Sequence, residues 1–456
     1  MHDPLQILKK YYSYSSFRPL QEKIIHAVLN GSDTLAILPT GGGKSLCFQI
    51  PTLCLNGVCL VISPLIALMN DQVENLQKKN ITAISFSGNI EKDKQKIILN
   101  NIKNGVYSFI YISPEKLATI FFQNFIQDIK ITLIAIDEAH CISQFGHLFR
   151  PSYRELNILK KILPNTPILA LTASATKLVQ QDIIQQLNLS NVSYFKSSFD
   201  RQNLSYSCFC VDYKMNKILD ILNKIKGSSI IYCNTRNQTT EIANLLKLQN
   251  FSAVAFHAGL NDEVKKEIQK SWVNNKISTI VCTSAFGMGI DKPDVRTVIH
   301  YSPPDCIENY YQEAGRAGRD QLKSFAVLLY NKEDVKRLNG LASIKFPHFD
   351  LIKKVYVALC NFLKIPVGMG AKMSFYFDIE LFCNTFELEN KMTIQCLLYL
   401  EKEGHVYFSK NTFVKSTIRF LVNKKELENY ESSNPTLKII ILCLLRTYSK
   451  ILDSPV

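Results

Sequence analysis

The sequence holds no apolar run long enough to cross a bilayer. Its longest runs, such as Ile439 to Leu445, fall far short of the roughly 20 residues that a spanning helix needs. The N-terminus, MHDPLQILKKYYSYSS, has no apolar core of signal-peptide length. These two absences leave a membrane-spanning or exported protein without support. No pair of the 13 cysteines shows CxxC spacing, the nearest approach being Cys208-x-Cys210, and the count is odd. Cys59, Cys233 and Cys282 sit inside strand-like runs. The set therefore reads as buried thiols in a reducing compartment rather than as disulfides. Low-complexity tracts are missing, and no internal repeat is found beyond an apparent duplication of one domain type. Negative charge is in deficit, with 39 Asp+Glu against 53 Lys+Arg, a formal net charge of +14. A soluble, cytoplasmic protein is expected, and its charge suits a polyanionic partner, nucleic acid or an acidic membrane surface.

What is present is an ordinary globular composition, 46% hydrophobic and 20% charged, over 456 residues, enough for two to four domains. Short apolar runs alternate with longer amphipathic segments from Ser32 to Tyr330. The first set of strand candidates is 34–39, 58–63, 108–113, 132–137 and 167–173. A second set is 228–233, 252–256, 278–284, 297–302 and 325–330. Continuous apolar strands separated by helices predict parallel sheets covered on both faces, and two groups predict two doubly wound α/β domains. The join falls near the polar stretch SSFDRQN, 197–203, so the domains are expected at 1–200 and 201–340. Residues 341–456 change pattern, with helical segments at 349–363 and 390–404 and then strand-like runs at 405–409 and 412–422. Helices followed by a small hairpin suggest a winged-helix-like module. In that segment 15 Lys+Arg stand against 11 Asp+Glu, a net +4, leaving +10 in the α/β part.

The first strand runs into Pro39-Thr40-Gly41-Gly42-Gly43-Lys44-Ser45 and then a helix. Three glycines let backbone N–H groups turn inward around phosphate oxygens, and the helix N-terminus adds partial positive charge. Lys44 is placed to reach the β/γ-phosphates and the Ser45 hydroxyl to ligate Mg²⁺, which implies ATP as the nucleotide. The general pattern has Gly five residues before its last glycine, where this chain has Leu38, so the motif is a variant. Strand 132–137 delivers Asp137-Glu138-Ala139-His140. Two carboxylates at a strand end complete such a site, Asp137 holding Mg²⁺ and Glu138 orienting and deprotonating the attacking water.

DEAH, LTASAT (171–176) and QEAGRAGR (312–319) resemble superfamily 2 helicases, and the chain is identified more closely with the RecQ family of DNA helicases. That resemblance rests on FRPLQEKII (17–25), LPTGGGKSLCFQIP (38–51), SPLIALMNDQV (63–73) and YISPEKL (111–117). It continues through DEAHCISQFGHLFRPSYREL (137–156), SFDRQNLSY (198–206), FHAGL (256–260), TSAFGMGIDKPDVRTVIHYSPP (283–304) and YYQEAGRAGRD (310–320). It covers roughly residues 10 to 330. The resemblance implies two RecA-like domains that close on ATP and step 3′→5′ along single-stranded DNA, in repair or recombination. Arg18 and Gln21 correspond to its adenine-reading motif, with Tyr14 as the stacking ring and Tyr12 as a weaker candidate. Thr172, Ser174 and Thr176 lie in the segment linking hydrolysis to DNA movement. Arg319 looks like the arginine finger, with Arg316 beside it and Gln312 in support.

The DNA-facing elements follow from the same resemblance. Segment 141–153 looks like the aromatic-rich loop that senses single-stranded DNA, through Phe145, His147, Phe149 and Arg150. Phe145 stands at the family's usual Trp position and Leu148 at its usual Asp. Asn234, Thr235, Arg236 and Thr283 occupy strand-end positions that touch phosphates in related helicases. One departure is larger. The family's four-cysteine zinc module is not legible in Cys360, Cys383, Cys396 and Cys443, so no structural zinc is expected. The chain ends at Val456 with no obvious nucleic-acid-binding tail, as a truncated or minimal form would. The expected partners are single-stranded and forked DNA, bound by a monomer, with RNA as the alternative substrate and an ATP-controlled DNA clamp as the alternative class.

Overall fold

The computed structural model describes residues 2–86, 92–143, 149–284, 286–287, 292–366, 368–371, 373–408, 422, 426–427, 430, 433 and 435–447. The chain divides into two compact units, Met1–Pro347 and His348–Val456.

The first unit contains two parallel sheets. Strands β1 (Thr34–Ile37), β2 (Val58–Ile62), β3 (Ala83–Phe86), β4 (Phe109–Ile112), β5 (Ile131–Ile136), β6 (Ile168–Thr172) and β7 (Ser193–Lys196) form one. Its order is β3-β4-β2-β5-β6-β1-β7. Strands β8 (Leu204–Cys210), β9 (Ser228–Tyr232), β10 (Ala253–Phe256), β11 (Thr279–Cys282), β12 (Val295–His300) and β13 (Ser324–Tyr330) form the other, in the order β10-β11-β9-β12-β13-β8. Every recorded pairing is parallel, as β1 with β6 (Leu35 opposite Ala170) and β9 with β12 (Ile230 opposite Val298). Both faces of each sheet carry apolar cores. Leu35, Ile62, Ile134 and Ile136 lie on one side of the first sheet, and Ala36, Val61, Leu133 and Leu169 on the other. Alternate residues of one strand thus enter opposite cores, which is why these strands read as unbroken apolar runs.

All ten strands expected from such runs are present, and three more appear: β3, β7 and β8. Each is a sheet edge. An edge strand is not covered as a central one is, so β7 alternates between half-buried and exposed residues, and only Leu204 of β8 is fully buried. The expected boundary at 340/341 falls inside helix Lys332–Lys345, and the compact unit closes only after Pro347.

In the second unit, helices Phe349–Phe362, Ile379–Phe386 and Asn390–Lys402 pack around Ile352, Val355, Phe382, Cys396 and Leu397. The middle helix is capped by Asp378, whose carboxylate accepts from Glu380 N and Leu381 N at 2.9 and 3.0 Å. It escaped the sequence reading because it is short. A last helix spans Pro435–Thr447. Residues 405–408 carry no strand, and the expected strand at 412–422 lies, but for Val422, outside the described residues.

Candidate active site

Neighbouring strands β5, β6 and β1 end together at the C-terminal edge of the first sheet, where open α/β sheets bind ligands. The loop after β1 doubles back, with Gly42 N donating to Pro39 O at 2.9 Å. Gly41 and Gly43 take φ of +76° and +75°, which a side chain would strain. Helix Leu46–Leu55 follows at once and presents its N-terminus to the loop. Two residues of the expected adenine-reading motif hold this loop. Gln21 Nε2 donates to the carbonyls of Gly42 and Gly43 at 3.3 and 3.1 Å, and Arg18 Nη1 donates to Gly41 O. Gln21 Oε1 in turn accepts from Arg18 N at 2.9 Å.

Asp137 continues β5, its N–H donating to Ile62 O at 2.9 Å, and Glu138 follows in the left-handed region at φ +49°. A left-handed glutamate is a strained residue of the kind that clusters at functional sites. Burial and the Glu138 charge push the Asp137 carboxyl up to about 7, against the pull of Lys44. Glu138 Oε2 is buried without a hydrogen bond, with His140 Nδ1 3.3 Å away. His140 Nδ1 also meets Thr172 Oγ1 at 2.9 Å, joining the DEAH turn to the end of β6. Two half-buried carboxylates and the Ser45 hydroxyl are hard oxygen donors, the set Mg²⁺ takes together with water and phosphate. The residues present therefore fit that ion.

The second sheet supplies the opposite wall of the same cleft. Helix Ile307–Ala314 carries Gln312, whose Nε2 donates to Ser174 Oγ of the LTASAT segment at 3.4 Å. The turn after it brings Gly315 against Thr40 and lays Arg319 along Gly41: a Cβ on Gly41 would sit 3.0 Å from Arg319 Cγ. Arg316 is buried and donates through Nη1 to Gly287 O. The cleft, about 680 Å³, is lined from one side by Tyr14, Arg18, Gln21, Lys44, Asp137 and Glu138 and from the other by Gln312, Arg316 and Arg319. Tyr14 is 54% exposed, as an open stacking ring would be. Tyr12 differs: its hydroxyl donates to Gln49 Oε1 at 2.8 Å, which ties that ring into the wall.

Three contributors, Arg201, Asn203 and Gln72, lie in segments that carried the family resemblance but were given no role there. Arg201 Nη2 donates to Ala317 O and Gly318 O at 3.1 and 2.8 Å, and Asn203 Nδ2 donates to Gly318 O at 2.8 Å, so the inter-sheet segment pins the arginine-bearing turn. Gln72, on helix Ile66–Gln77, donates from Nε2 to Ser45 Oγ at 2.9 Å.

The expected DNA-facing residues are distributed less tightly. Phe145 and His147 lie outside the described residues. Phe149 faces Arg154, and Arg150 Nη1 donates to Pro64 O at 3.1 Å. Asn234, Thr235 and Arg236 are exposed after β9, and Thr235 caps helix Arg236–Leu248, accepting from Gln238 N at 3.2 Å. Thr283 follows β11 on the same edge of the second sheet. No group of three or more His, Cys, Asp or Glu side chains is placed to hold a metal among the described residues. All thirteen cysteines are free thiols. Among the described residues no helix is long and apolar enough to cross a membrane.

Two RecA-like sheets that face each other across a phosphate-binding loop, a carboxylate pair and inward arginines define a superfamily 2 helicase motor. Residues 18–182 match the DEAD/DEAH box helicase family and residues 213–321 the helicase conserved C-terminal domain. The ATP-dependent DNA helicase RecQ of Haemophilus influenzae is 46% identical over 331 residues, covering 72% of this chain and 54% of that protein. A protein of Acanthamoeba polyphaga mimivirus, provisionally named an ATP-dependent RNA helicase, is 47% identical over 335 residues, covering 72% of this chain and 60% of that protein. The Mycobacterium smegmatis helicase Lhr, solved with ssDNA and AMP-PNP, shares the fold at a TM-score of 0.60 and 18% identity, covering 74% of this chain and 51% of that one. The chain belongs to the RecQ family of helicases. It spans a little over half the length of the first curated relatives it matches.

Proposed function

We propose that this chain is an ATP- and Mg²⁺-dependent DNA helicase that moves 3′→5′ on single-stranded DNA and opens forked duplexes, in DNA repair or recombination. The observation that carries the reading is the shared cleft, in which Lys44, Asp137 and Glu138 of one sheet face Arg316 and Arg319 of the other. In it, Lys44 meets the β/γ-phosphates and the N–H groups of Gly41 and Gly43 hold the oxygens around them, that of Gly42 being spent on Pro39 O. Glu138, whose Oε2 has no hydrogen bond, orients the attacking water and takes its proton. Arg319, held against Gly41, stabilises charge developing on the transferred phosphoryl group. Ser45 and Asp137 would hold Mg²⁺, which when bound neutralises phosphate charge. The exposed residues Asn234, Thr235 and Arg236 and the half-buried Thr283, all at strand ends, are with Phe149 and Arg150 the proposed contacts to DNA, along with Phe145 and His147. Free thiols and the ATP requirement suit the cytoplasm.

Lys44→Ala and Glu138→Gln should each abolish DNA-stimulated ATP hydrolysis, and activity retained in either overturns the assignment. Unwinding of a forked duplex separates a motor from a clamp that only binds. The 47% identity to a relative named for RNA favours one second reading, an RNA motor. Stronger stimulation of hydrolysis by single-stranded RNA than by matched DNA would establish it.

A further inference from the structure

A chain of four polar side chains runs beside the phosphate-binding loop, along the wall of the cleft. Tyr12 OH donates to Gln49 Oε1 at 2.8 Å, and Gln49 Nε2 donates to Gln72 Oε1 at 3.2 Å. Gln72 Nε2 then donates to Ser45 Oγ at 2.9 Å. A fifth group, Tyr111 OH, also donates to Gln72 Oε1, at 3.3 Å. Gln49 and Tyr111 are 4% and 1% exposed, so neither can turn to water instead. The Gln72 amide oxygen thus accepts from two buried groups, and turning this amide alone would set its NH₂ against the NH₂ of Gln49. In this arrangement the nitrogen faces Ser45.

In that arrangement the Ser45 hydroxyl accepts from Gln72. A serine oxygen has two lone pairs and one proton. With one lone pair taken by Gln72, the other remains for a ligand on the cleft side, and the proton is left to a neighbouring oxygen. We propose that Gln72 is a positioning residue for the magnesium ligand Ser45, holding its hydroxyl with one lone pair presented to the ion. The proposal rests on the reading of the cleft as an ATP–Mg²⁺ site. Outer partners of metal ligands typically contribute 10- to 100-fold to metal affinity, and a single neutral hydrogen bond to a hydroxyl belongs at the lower end, about tenfold.

The test is equilibrium binding of a fluorescent ADP analogue to the full chain, without Mg²⁺ and across a Mg²⁺ titration. Gln72→Leu should leave the Mg²⁺-free affinity as it is and raise the Mg²⁺ concentration for half-maximal tightening about tenfold. Tyr111→Phe keeps the amide but removes one of the donors that orient it, and should fall between wild type and Gln72→Leu. It also keeps the test open should Gln72→Leu fold poorly. In a Ser45→Ala background Gln72→Leu should add nothing, because the group it positions is gone. Half-saturation within twofold of wild type in both variants overturns the proposal, as does equal weakening with and without Mg²⁺, which marks a structural role. Tighter Mg²⁺ binding in Gln72→Leu overturns it too, since Gln72 would then be competing with the ion. If Ser45→Ala itself leaves the Mg²⁺ dependence unchanged, the ATP–Mg²⁺ reading of the cleft is what has failed.

Discussion

Gly315 offers a way to move one wall of the cleft, at the cost of a tight 3.0 Å contact with Tyr311 O in its own domain. It terminates helix Ile307–Ala314 with φ −65°, a helical value that alanine adopts without strain. A glycine-to-alanine change at a compatible position ordinarily stabilises a protein by about 0.4–1 kcal/mol through the unfolded chain. Here the added Cβ would fall well inside contact distance of Thr40 Oγ1, on the phosphate-binding loop of the other domain, with Thr40 Cβ behind it at 3.5 Å. Threonine is stiff at χ1, so the hydroxyl has little freedom to turn away. Restoring ordinary contact needs a separation on the order of 1 Å between the loop and the arginine-bearing turn. A misplacement of that size in a catalytic constellation costs about 10²-fold in rate. Gly315→Ala should therefore lower kcat for DNA-stimulated hydrolysis by about 10- to 100-fold, with Tm unchanged or slightly raised.

The cycle with Thr40→Ala isolates the cause. Removing Oγ1 leaves the new methyl at 3.5 Å from Thr40 Cβ, an ordinary van der Waals contact, and its tighter approach to Tyr311 O, 3.0 Å, is the same in both backgrounds. Gly315→Ala should thus do far less damage in the Thr40→Ala background than in wild type. Wild-type turnover in Gly315→Ala refutes the reasoning. So does a loss of turnover that comes with a lowered Tm, or equal loss in both backgrounds.

Three further outcomes are expected. Asp334→Ala removes the carboxylate that pairs with Lys214, a lysine only 5% exposed, and breaks the reciprocal cap with Asn331. Stranding that charge should reduce stability by about 3–5 kcal/mol in denaturant unfolding. Trp272 is fully buried against Phe286, with ring centroids 5.5 Å apart, so Trp272→Ala should lower stability by about 3–5 kcal/mol by the same measurement. Burial and Glu138 raise the Asp137 carboxyl from 3.8 to about 7. Folded protein thus keeps a proton that the unfolded chain has released, and this group's stabilisation, full below 3.8, is lost as pH rises through about 7. Mg²⁺ needs the carboxylate, so its affinity, read by titration with nucleotide, should fall as pH drops below 7, and Glu138→Gln should move that onset to lower pH.

What the sequence conveyed and what it withheld divide along a physical line. Nine of the ten strands read from the sequence are central, and they were legible because burial on both faces favours apolar residues along the whole strand, a local property; the tenth, β10, is an edge strand that is apolar throughout. Strands β3, β7 and β8 were not, because at an edge the chain is free to mix polar and apolar residues. The end of the second domain was misplaced for a related reason: helix Lys332–Lys345 is polar enough to read as a connection. In the site, Lys44, Ser45, Asp137 and Glu138 were assigned from local patterns that phosphate and metal chemistry constrain, and Gln312 and Arg319 from the family resemblance; the cleft brings them together. The contacts of Arg201, Asn203 and Gln72 were not legible although their segments carried that resemblance, since their partners stand 117, 115 and 27 residues away.

The same division explains how the cleft keeps its geometry. Most residues proposed to meet the nucleotide are on loops, which are intrinsically the mobile parts of an α/β domain. Several of these loops are held by a neighbouring polar side chain. Gln21 and Arg18 hold the carbonyls of Gly41, Gly42 and Gly43, Gln72 holds Ser45, and Arg201 and Asn203 hold the turn at Gly318. These holders bond mostly to backbone carbonyls, so they fix the path of the loop without consuming the groups that face the ligand. Glycine then sets how near the walls can come. At Gly41, Gly287 and Gly315 a side chain from Arg319, Arg316 or Thr40 lies where a Cβ would be. The distance between the arginines and the phosphate-binding loop is therefore limited by backbone contact. A cleft built in this way can open and return to one closed geometry, and cyclic hydrolysis needs that reproducibility.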